Sequence, residues 1–167
     1  MPGQPPAEQA DRSGEQTMAK ADELDTEKVL STLQDALQLQ ARSILTMTTL
    51  AGTLRGLPGT AVKQQLREYV LAELEDTYRL MEKHSAIGGE LTLDVPTINV
   101  AHDPESSIND LIDLERETVA ALHAVIEFSG QEPRSEALEH LLEHLIMRKQ
   151  QQIDFLWHAS SRTEPLS

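Results

Sequence analysis

The chain has 167 residues and a formal net charge of -14 at pH 7, contains no cysteine, and is only 3% aromatic. Such a negative charge disfavours binding to nucleic acid or to anionic membranes, because both need clustered Lys and Arg. Without cysteine the chain has no disulfides, thiolate chemistry or sulfur-ligated metals, so any metal would need oxygen or nitrogen ligands. The abundance of Leu, Ala, Glu and Gln favours an all-α domain.

Residues 1–24 are rich in Pro, Gly, Gln and acidic residues. Apolar residues are too sparse there to offset the entropy of ordering the segment, so we predict a disordered leader. The first ten residues lack the basic and apolar regions of a signal peptide, and no stretch approaches the roughly 20 apolar residues of a membrane span. We therefore expect a cytoplasmic protein in which residues 25–160 form one bundle and residues 161–167 a tail.

Capping and breaking signals predict two helices in the first half of the bundle. The first helix begins at Asp25 or Thr26 and ends at the Gly-Leu-Pro-Gly sequence at 56–59. The second begins with Thr60 as its cap and runs to Ile87, where Gly88-Gly89 gives a strong C-terminal signal.

Two more helices follow in the second half. The third begins near Asp103-Pro104-Glu105 or at Ser107, and Gly130 closes it. The fourth spans about 133–160. The joints within each half are only a few residues long, so each half is an antiparallel hairpin. The link from Gly88 to about His102 reaches about 50 Å when extended, enough to pass along a helix of about 42 Å. This predicts an up-down-down-up four-helix bundle.

The first helix carries more apolar residues than one bundle face requires. One arc contains Leu30, Leu33, Leu37, Ala41, Ile44, Leu45 and Thr48, which we predict to face the core. A second arc contains Leu39, Met47, Leu50 and Leu54. We expect another subunit to cover this second arc, which makes the protein a homo-oligomer, at least a dimer.

Charged residues interrupt the other apolar faces. Glu73 shares its face with Leu66, Val70 and Leu80, and Glu115 lies at the centre of the stripe on the third helix. On the fourth helix the polar residues are Lys149 and Gln152. An uncompensated buried carboxylate costs several kcal/mol, so each glutamate must bind a cation, pair with one or be protonated.

The run from Ala72 to Gly89, AELEDTYRLMEKHSAIGG, resembles the second helix of the ferritin-like superfamily, and bacterioferritin most closely. Residues 153–156, IDFL, resemble the matching part of the fourth helix. The resemblance covers about 29–158. It implies a ferritin-like fold, in which a Glu on each of the first and third helices and a Glu-x-x-His on each of the others hold two irons.

Only part of that ligand set is present in this chain. The resemblance places Gln38 at the glutamate position of the first helix, Glu73 and Asp76 in the second-helix motif, Glu115 on the third helix, and Lys149 and Gln152 in the fourth-helix motif. Glu73, Asp76 and Glu115 are therefore the candidate metal ligands. Leu74 occupies the position of the haem-ligating methionine of bacterioferritins, so we expect no haem.

We expect Lys149 to pair with Glu73 and Glu115 in place of iron, with Gln38 and Gln152 completing the hydrogen bonds. The predicted buried polar cluster is Gln38, Glu73, Asp76, Glu115, Lys149 and Gln152. Three explanations of this cluster remain open: a polar core that only fixes helix register, a residual site for iron or another divalent metal, or a different register of the fourth helix.

The remaining histidines give weaker signals. The sequence His140-Leu-Leu-Glu-His144 matches a zinc peptidase string, but both histidines fall outside the apolar stripe and should face solvent. His84 lies on the inner face of the second helix, about 16 Å from Glu73, too far to share a metal. We expect a hydrogen-bonded core histidine.

Three functions are compatible with the sequence. The first is a non-catalytic, self-associating structural or regulatory relative of bacterioferritin with a degenerate di-iron site and no cofactor. The second is an iron- or divalent-metal-binding protein that stores or oxidises iron with the reduced carboxylate set. The third is a module that binds a protein partner through the leader or the acidic surface.

Overall fold

A computed structural model describes residues 24–100 and 103–166, and four helices account for most of this part of the chain. They are α1 (Thr26–Thr53), α2 (Gly56–Ala86), α3 (Pro104–Ile126) and α4 (Pro133–Ala159). Nearly all of the predicted leader lies outside the described residues. The all-α prediction is confirmed, and none of the helices in the described ranges has the length and apolar character needed to cross a membrane.

Hydrogen bonds at the helix ends establish the up-down-down-up order. The Asp25 amide at the start of α1 donates to the Phe128 carbonyl just beyond α3. Arg134 at the start of α4 donates to the Ala86 carbonyl at the end of α2. The first contact makes α1 antiparallel to α3, and the short joint makes α1 antiparallel to α2. The two middle helices, α2 and α3, therefore run parallel to each other and need the long crossover between them. Both α1 and α4 lie beside α2 and α3.

The helix boundaries follow local capping chemistry, with one wrong prediction. The Asp25 side chain accepts from the Lys28 amide, and Asp103 accepts from the Ser106 amide ahead of Pro104, the earlier of the two predicted starts for α3. However, α2 begins at Gly56 rather than after Thr60, and Arg55 provides no side-chain cap. Gly56 has a φ of 79°, which turns the chain, and Pro58 fits a first helical turn because that turn needs no donor from its nitrogen.

The inner face of α1 agrees with the prediction at Leu33 and Leu37, which are fully buried, and differs from it further along the helix. Met47, Leu50 and Leu54 are buried, whereas Leu45 is 40% exposed. The inner arc contains two polar residues, Gln40 and Ser43, so apolar periodicity alone favours the outer arc. The second arc therefore belongs largely to the core, and its burial needs no second subunit.

The core consists of two apolar clusters separated by a polar layer. One cluster lies where α1 and α4 begin and α2 and α3 end; it includes Leu33, Leu80, Leu122 and Leu142. The other lies at the opposite end and includes Leu50, Leu66, Ile112 and Ile153. Between them each helix contributes buried polar residues three positions apart: Gln40 and Ser43, Glu73 and Asp76, Glu115 and Thr118, and Lys149 and Gln152.

Side-chain amides of α1 bind the extended crossover. Gln38 Oε1 accepts from the Asp94 amide at 2.8 Å, and its Nε2 donates to the Asp94 carbonyl at 2.9 Å. Gln34 makes the equivalent pair of hydrogen bonds with Thr92. Each glutamine amide thus bonds both the N–H and the C=O of one crossover residue, as a residue of a neighbouring β-strand would. These hydrogen bonds hold the crossover against α1.

The C-terminal residues also pack on the bundle. Arg162 donates to the Asn109 side chain at 2.7 Å and forms an ion pair with Asp113 at 3.2 Å. The Trp157 indole donates to the Glu164 carbonyl at 2.9 Å, and Leu166 packs against the second apolar cluster. Residues 161–166 thus extend the contacts of α3 and α4.

Replacing Gln38 with Ala should release the crossover locally. The loss of two partly exposed hydrogen bonds should lower the free energy of unfolding by about 1 kcal/mol and accelerate hydrogen exchange at the Asp94 amide. Denaturant titration and exchange measured by NMR would test this. Gln64→Ala, which removes a surface hydrogen bond to Glu68, should change neither; equal effects of the two variants would contradict the role given to Gln38.

Candidate functional site

The polar layer is centred on the ammonium of Lys149, whose side chain is fully buried. Nζ lies 2.8 Å from Glu115 Oε2, 3.1 Å from Glu73 Oε2 and 3.1 Å from Ser43 Oγ. An ammonium has three hydrogens, and these three residues provide one acceptor direction for each. Lys149 therefore joins three helices to its own without leaving a donor unpaired.

Neutral side chains complete the contacts of the two carboxylates. Gln40 Nε2 donates to Glu73 Oε2 at 2.9 Å and is also 3.1 Å from the Thr77 hydroxyl. Gln152 Nε2 lies 2.5 Å from Glu73 Oε1, and the Ser43 hydroxyl donates to Glu115 Oε1. Each oxygen of the Glu73 and Glu115 carboxylates thus has a hydrogen-bond partner.

Burial and charge change the pKa values of this cluster. Burial raises the pKa of Glu73; Lys149 opposes this rise, and the nearby Glu115 adds to it. For Lys149, burial lowers the pKa, but the two glutamates outweigh that effect and raise it above its ordinary value. Lys149 is consequently charged at neutral pH, and Glu73 holds a proton more readily than an exposed glutamate does.

The structure brings four of the six predicted cluster residues together: Glu73, Glu115, Lys149 and Gln152. The prediction for Gln38 is wrong, because its amide binds the backbone of Asp94 in the crossover. Gln40 and Ser43 take its place, two and five residues further along α1.

Asp76 lies in the same polar layer but has other partners. Its Oδ2 accepts from Arg148 Nε at 2.8 Å, and its Oδ1 lies 3.7 Å from His144 Nε2. Since the Asp76 side chain is only 4% exposed, the guanidinium compensates a buried charge between α2 and α4. Asp76 is therefore engaged in a separate ion pair beside the Lys149 cluster.

Sequence reasoning missed Gln40, Ser43 and Arg148. The two α1 residues had a usable signal, since Gln40 and Ser43 repeat the three-residue spacing of Glu73 and Asp76. Arg148 precedes Lys149 and gave no such signal, because a charged residue beside the core stripe usually faces solvent.

The histidines lie where the helical positions predict. His140 and His144 have side chains 79% and 48% exposed, so the zinc peptidase string is not directed into a closed site. His84 is 2% exposed, and burial lowers its pKa despite a hydrogen bond with the Leu30 backbone. Its Nδ1 has no hydrogen-bond partner in the part of the chain that the structure describes, and Gly89 packs against the ring so closely that a Cβ there would overlap it.

The comparisons with known proteins agree with this architecture. The family model described as a ferritin-like domain matches residues 30–163. The chain belongs to the ferritin-like family. No curated protein matches the sequence.

Among solved structures, the chain is similar to a protein from Bacillus anthracis str. Ames described as belonging to the ferritin like, diiron-carboxylate proteins. The sequences are 19% identical, the match covers 80% of this chain and 96% of that one, and the TM-score is 0.73. At this identity the similarity concerns the fold. In this chain, residues 24–100 and 103–166 contain no group of three or more His, Asp or Glu side chains arranged to hold a metal ion.

Replacing Lys149 with Ala should destabilise the fold strongly. The substitution leaves two buried carboxylates without their cation, and breaking a buried ion pair on one side costs about 3–5 kcal/mol. Urea unfolding at pH 7 would measure the loss. Arg79→Ala removes an exposed ion pair with Glu75 and should cost at most about 1 kcal/mol. A Lys149→Ala effect as small as that of Arg79→Ala would refute the pairing.

Proposed function

We propose that this chain is a non-catalytic ferritin-like bundle, related to bacterioferritin, in which Lys149 has replaced the metals of a di-iron site. The single observation that carries the proposal is the position of Lys149 Nζ, 2.8 Å from Glu115 and 3.1 Å from Glu73. A metal ion bound by these glutamates would have to lie where the ammonium lies, and the two cations would repel each other. We expect the Lys149 ammonium to take the place of a bound metal cation.

The donor set supports the same conclusion. Di-iron carboxylate sites in four-helix bundles use four carboxylates and two histidines, whereas the Lys149 cluster offers two carboxylates. The positions of the histidines hold Asp76, which is engaged with Arg148, and Gln152, whose amide faces Glu73. These side chains do not fit a pair of iron ions, and we assign no oxidative step to them.

An iron-uptake assay tests this proposal directly. After aerobic exposure to Fe(II) and removal of excess iron, the purified protein should retain no stoichiometric iron by elemental analysis. The double variant Lys149→Glu/Gln152→His restores a carboxylate and an imidazole to α4 and should gain iron under the same conditions. Stoichiometric iron in the unmodified protein would instead favour iron storage or oxidation.

We further propose that the bundle self-associates through the outer face of the α1–α2 hairpin. Leu71, Leu74 and Tyr78 are 62%, 48% and 57% exposed, and their spacing places them within about 60° on one side of α2. On the neighbouring helix α1, Leu45 is a further apolar side chain that is 40% exposed. Monomeric proteins seldom expose apolar side chains in such a group.

The charge distribution favours a second copy as the occupant of this face. Residues 26–86 contain seven acidic and seven basic residues, whereas residues 103–159 contain twelve acidic and four basic ones. Two copies of a strongly acidic chain repel each other except where a surface is locally neutral. Around the stripe, Arg67, Arg79, Glu75 and Glu82 provide charges of both signs, which a two-fold axis can pair with one another.

Replacing Leu71 and Leu74 with Glu should therefore weaken self-association. Analytical ultracentrifugation over a range of concentrations should show the unmodified chain as a dimer or larger assembly and the double variant as a monomer. Met147→Glu changes a side chain that is 55% exposed on α4 and should leave the assembly unchanged. A monomeric unmodified chain, or equal effects of both changes, would count against this face.

A further inference from the structure

The Lys149 cluster contains one negative charge too many. Glu73, Glu115 and Lys149 are all fully buried, so two ionised carboxylates and one ammonium would leave an uncompensated charge of -1 in the core. Burial of an unpaired charge costs several kcal/mol, and proteins usually avoid it by changing the protonation state. Resting on the proposed role of Lys149, we infer that the cluster binds one proton from solvent, held on the Glu73 carboxyl group.

Within the described residues, no charged group elsewhere in the layer neutralises this excess negative charge. From α1 the cluster receives Gln40 and Ser43, which are uncharged, and from α3 only Glu115 contributes a charge. On α2 the next charge is Asp76, and on α4 the next are Arg148 and His144, which contact that aspartate. The Asp76 pair is internally balanced, so the charge of the Lys149 cluster must be balanced within the cluster.

The geometry favours Glu73 over Glu115 as the proton carrier. Glu115 has the shorter contact with the ammonium, 2.8 Å against 3.1 Å, and also accepts from the Ser43 hydroxyl, so each of its oxygens already faces a donor hydrogen. Glu73 instead lies between two amides, Gln40 and Gln152. An amide can either donate to a carboxylate or accept from a carboxylic acid.

The contact with Gln152 suits a carboxylic acid. Its separation of 2.5 Å from Glu73 Oε1 lies at the short end of the range for O–H···O hydrogen bonds and is shorter than the range for N–H···O. Among residues 24–100 and 103–166, Gln152 Oε1 has no hydrogen-bond partner in its present orientation. A half-turn of the amide therefore breaks no hydrogen bond of that oxygen. Because the two amide atoms are nearly equivalent in shape, the rotated Oε1 would accept the proton of Glu73.

The pH dependence follows from the sign of the shift. Burial raises the pKa of Glu73 above its value in the unfolded chain, so the folded state binds more protons between the two values. The contribution of Glu73 to stability is fully present below the unfolded-state pKa and is lost as the pH rises through the folded-state pKa. Above the folded-state pKa, Glu73 loses its proton and the core contains one uncompensated negative charge.

Carbon-13 NMR of the chelator-treated, metal-free full chain, labelled at the glutamate carboxyl carbons, tests this inference. One resonance should remain at the protonated position at pH 7, where exposed glutamates are ionised. Glu73→Gln should remove it, and Asp76→Asn should leave it in place. In Glu115→Gln, Lys149 has only Glu73 as a counter-ion, so the titration midpoint of Glu73 should fall. Ionised resonances throughout pH 5–8 would overturn the inference.

Infrared spectroscopy of the unmodified protein gives a second readout that requires no variant to fold. A deuterium-sensitive C=O stretch of a protonated carboxylic acid should be present at pH 7, and its absence would exclude the bound proton. Both measurements use metal-free protein, so they are independent of the iron-uptake assay. Iron binding would refute the proposed function, whereas an ionised Glu73 in metal-free protein would refute only the bound proton.

Discussion

The ammonium of Lys149 determines how the middle of this bundle is built. It lies in the core with all three hydrogens donated, and its acceptors come from α1, α2 and α3. A charge in this position is stable only while each partner keeps its place, because several kcal/mol of desolvation must be offset by directed contacts. The relative heights of the four helices are therefore specified by polar geometry as well as by apolar packing, which tolerates small shifts.

The ion pair between Arg148 and Asp76 shows that solvent exposure differs between the centre and the edge of the polar layer. Arg148 keeps its side chain 28% exposed while it neutralises the buried Asp76, so its guanidinium remains partly hydrated. Lys149, one residue further along α4, has no access to solvent. Adjacent residues on one helix thus compensate buried carboxylates in two environments, and only the inner one carries the full cost of desolvation.

Most of the fold was predictable because the apolar pattern of three of the four helices identifies the face that packs in the core. On α2, α3 and α4 the polar residues Glu73, Glu115 and Lys149 are surrounded by leucine and isoleucine at helical spacing, which fixes their direction. On α1 the inner arc contains Gln40 and Ser43, and the outer arc contains Leu45, so periodicity alone does not identify which arc faces the core. Gln38 was predicted as a cluster member because of its family position, whereas its amide serves the crossover. That role depends on a contact with Asp94, more than fifty residues away, which no local pattern reports.

The division of the core into two apolar clusters has a consequence for how the chain unfolds. Each cluster takes residues from all four helices, so neither the α1–α2 hairpin nor the α3–α4 hairpin contains a complete core. Neither half should be a folding unit, and the bundle should lose its structure in one cooperative transition despite the polar layer between the clusters. For the same reason, a chain cut within the crossover should yield two fragments that are unstructured alone and regain helical structure only when mixed.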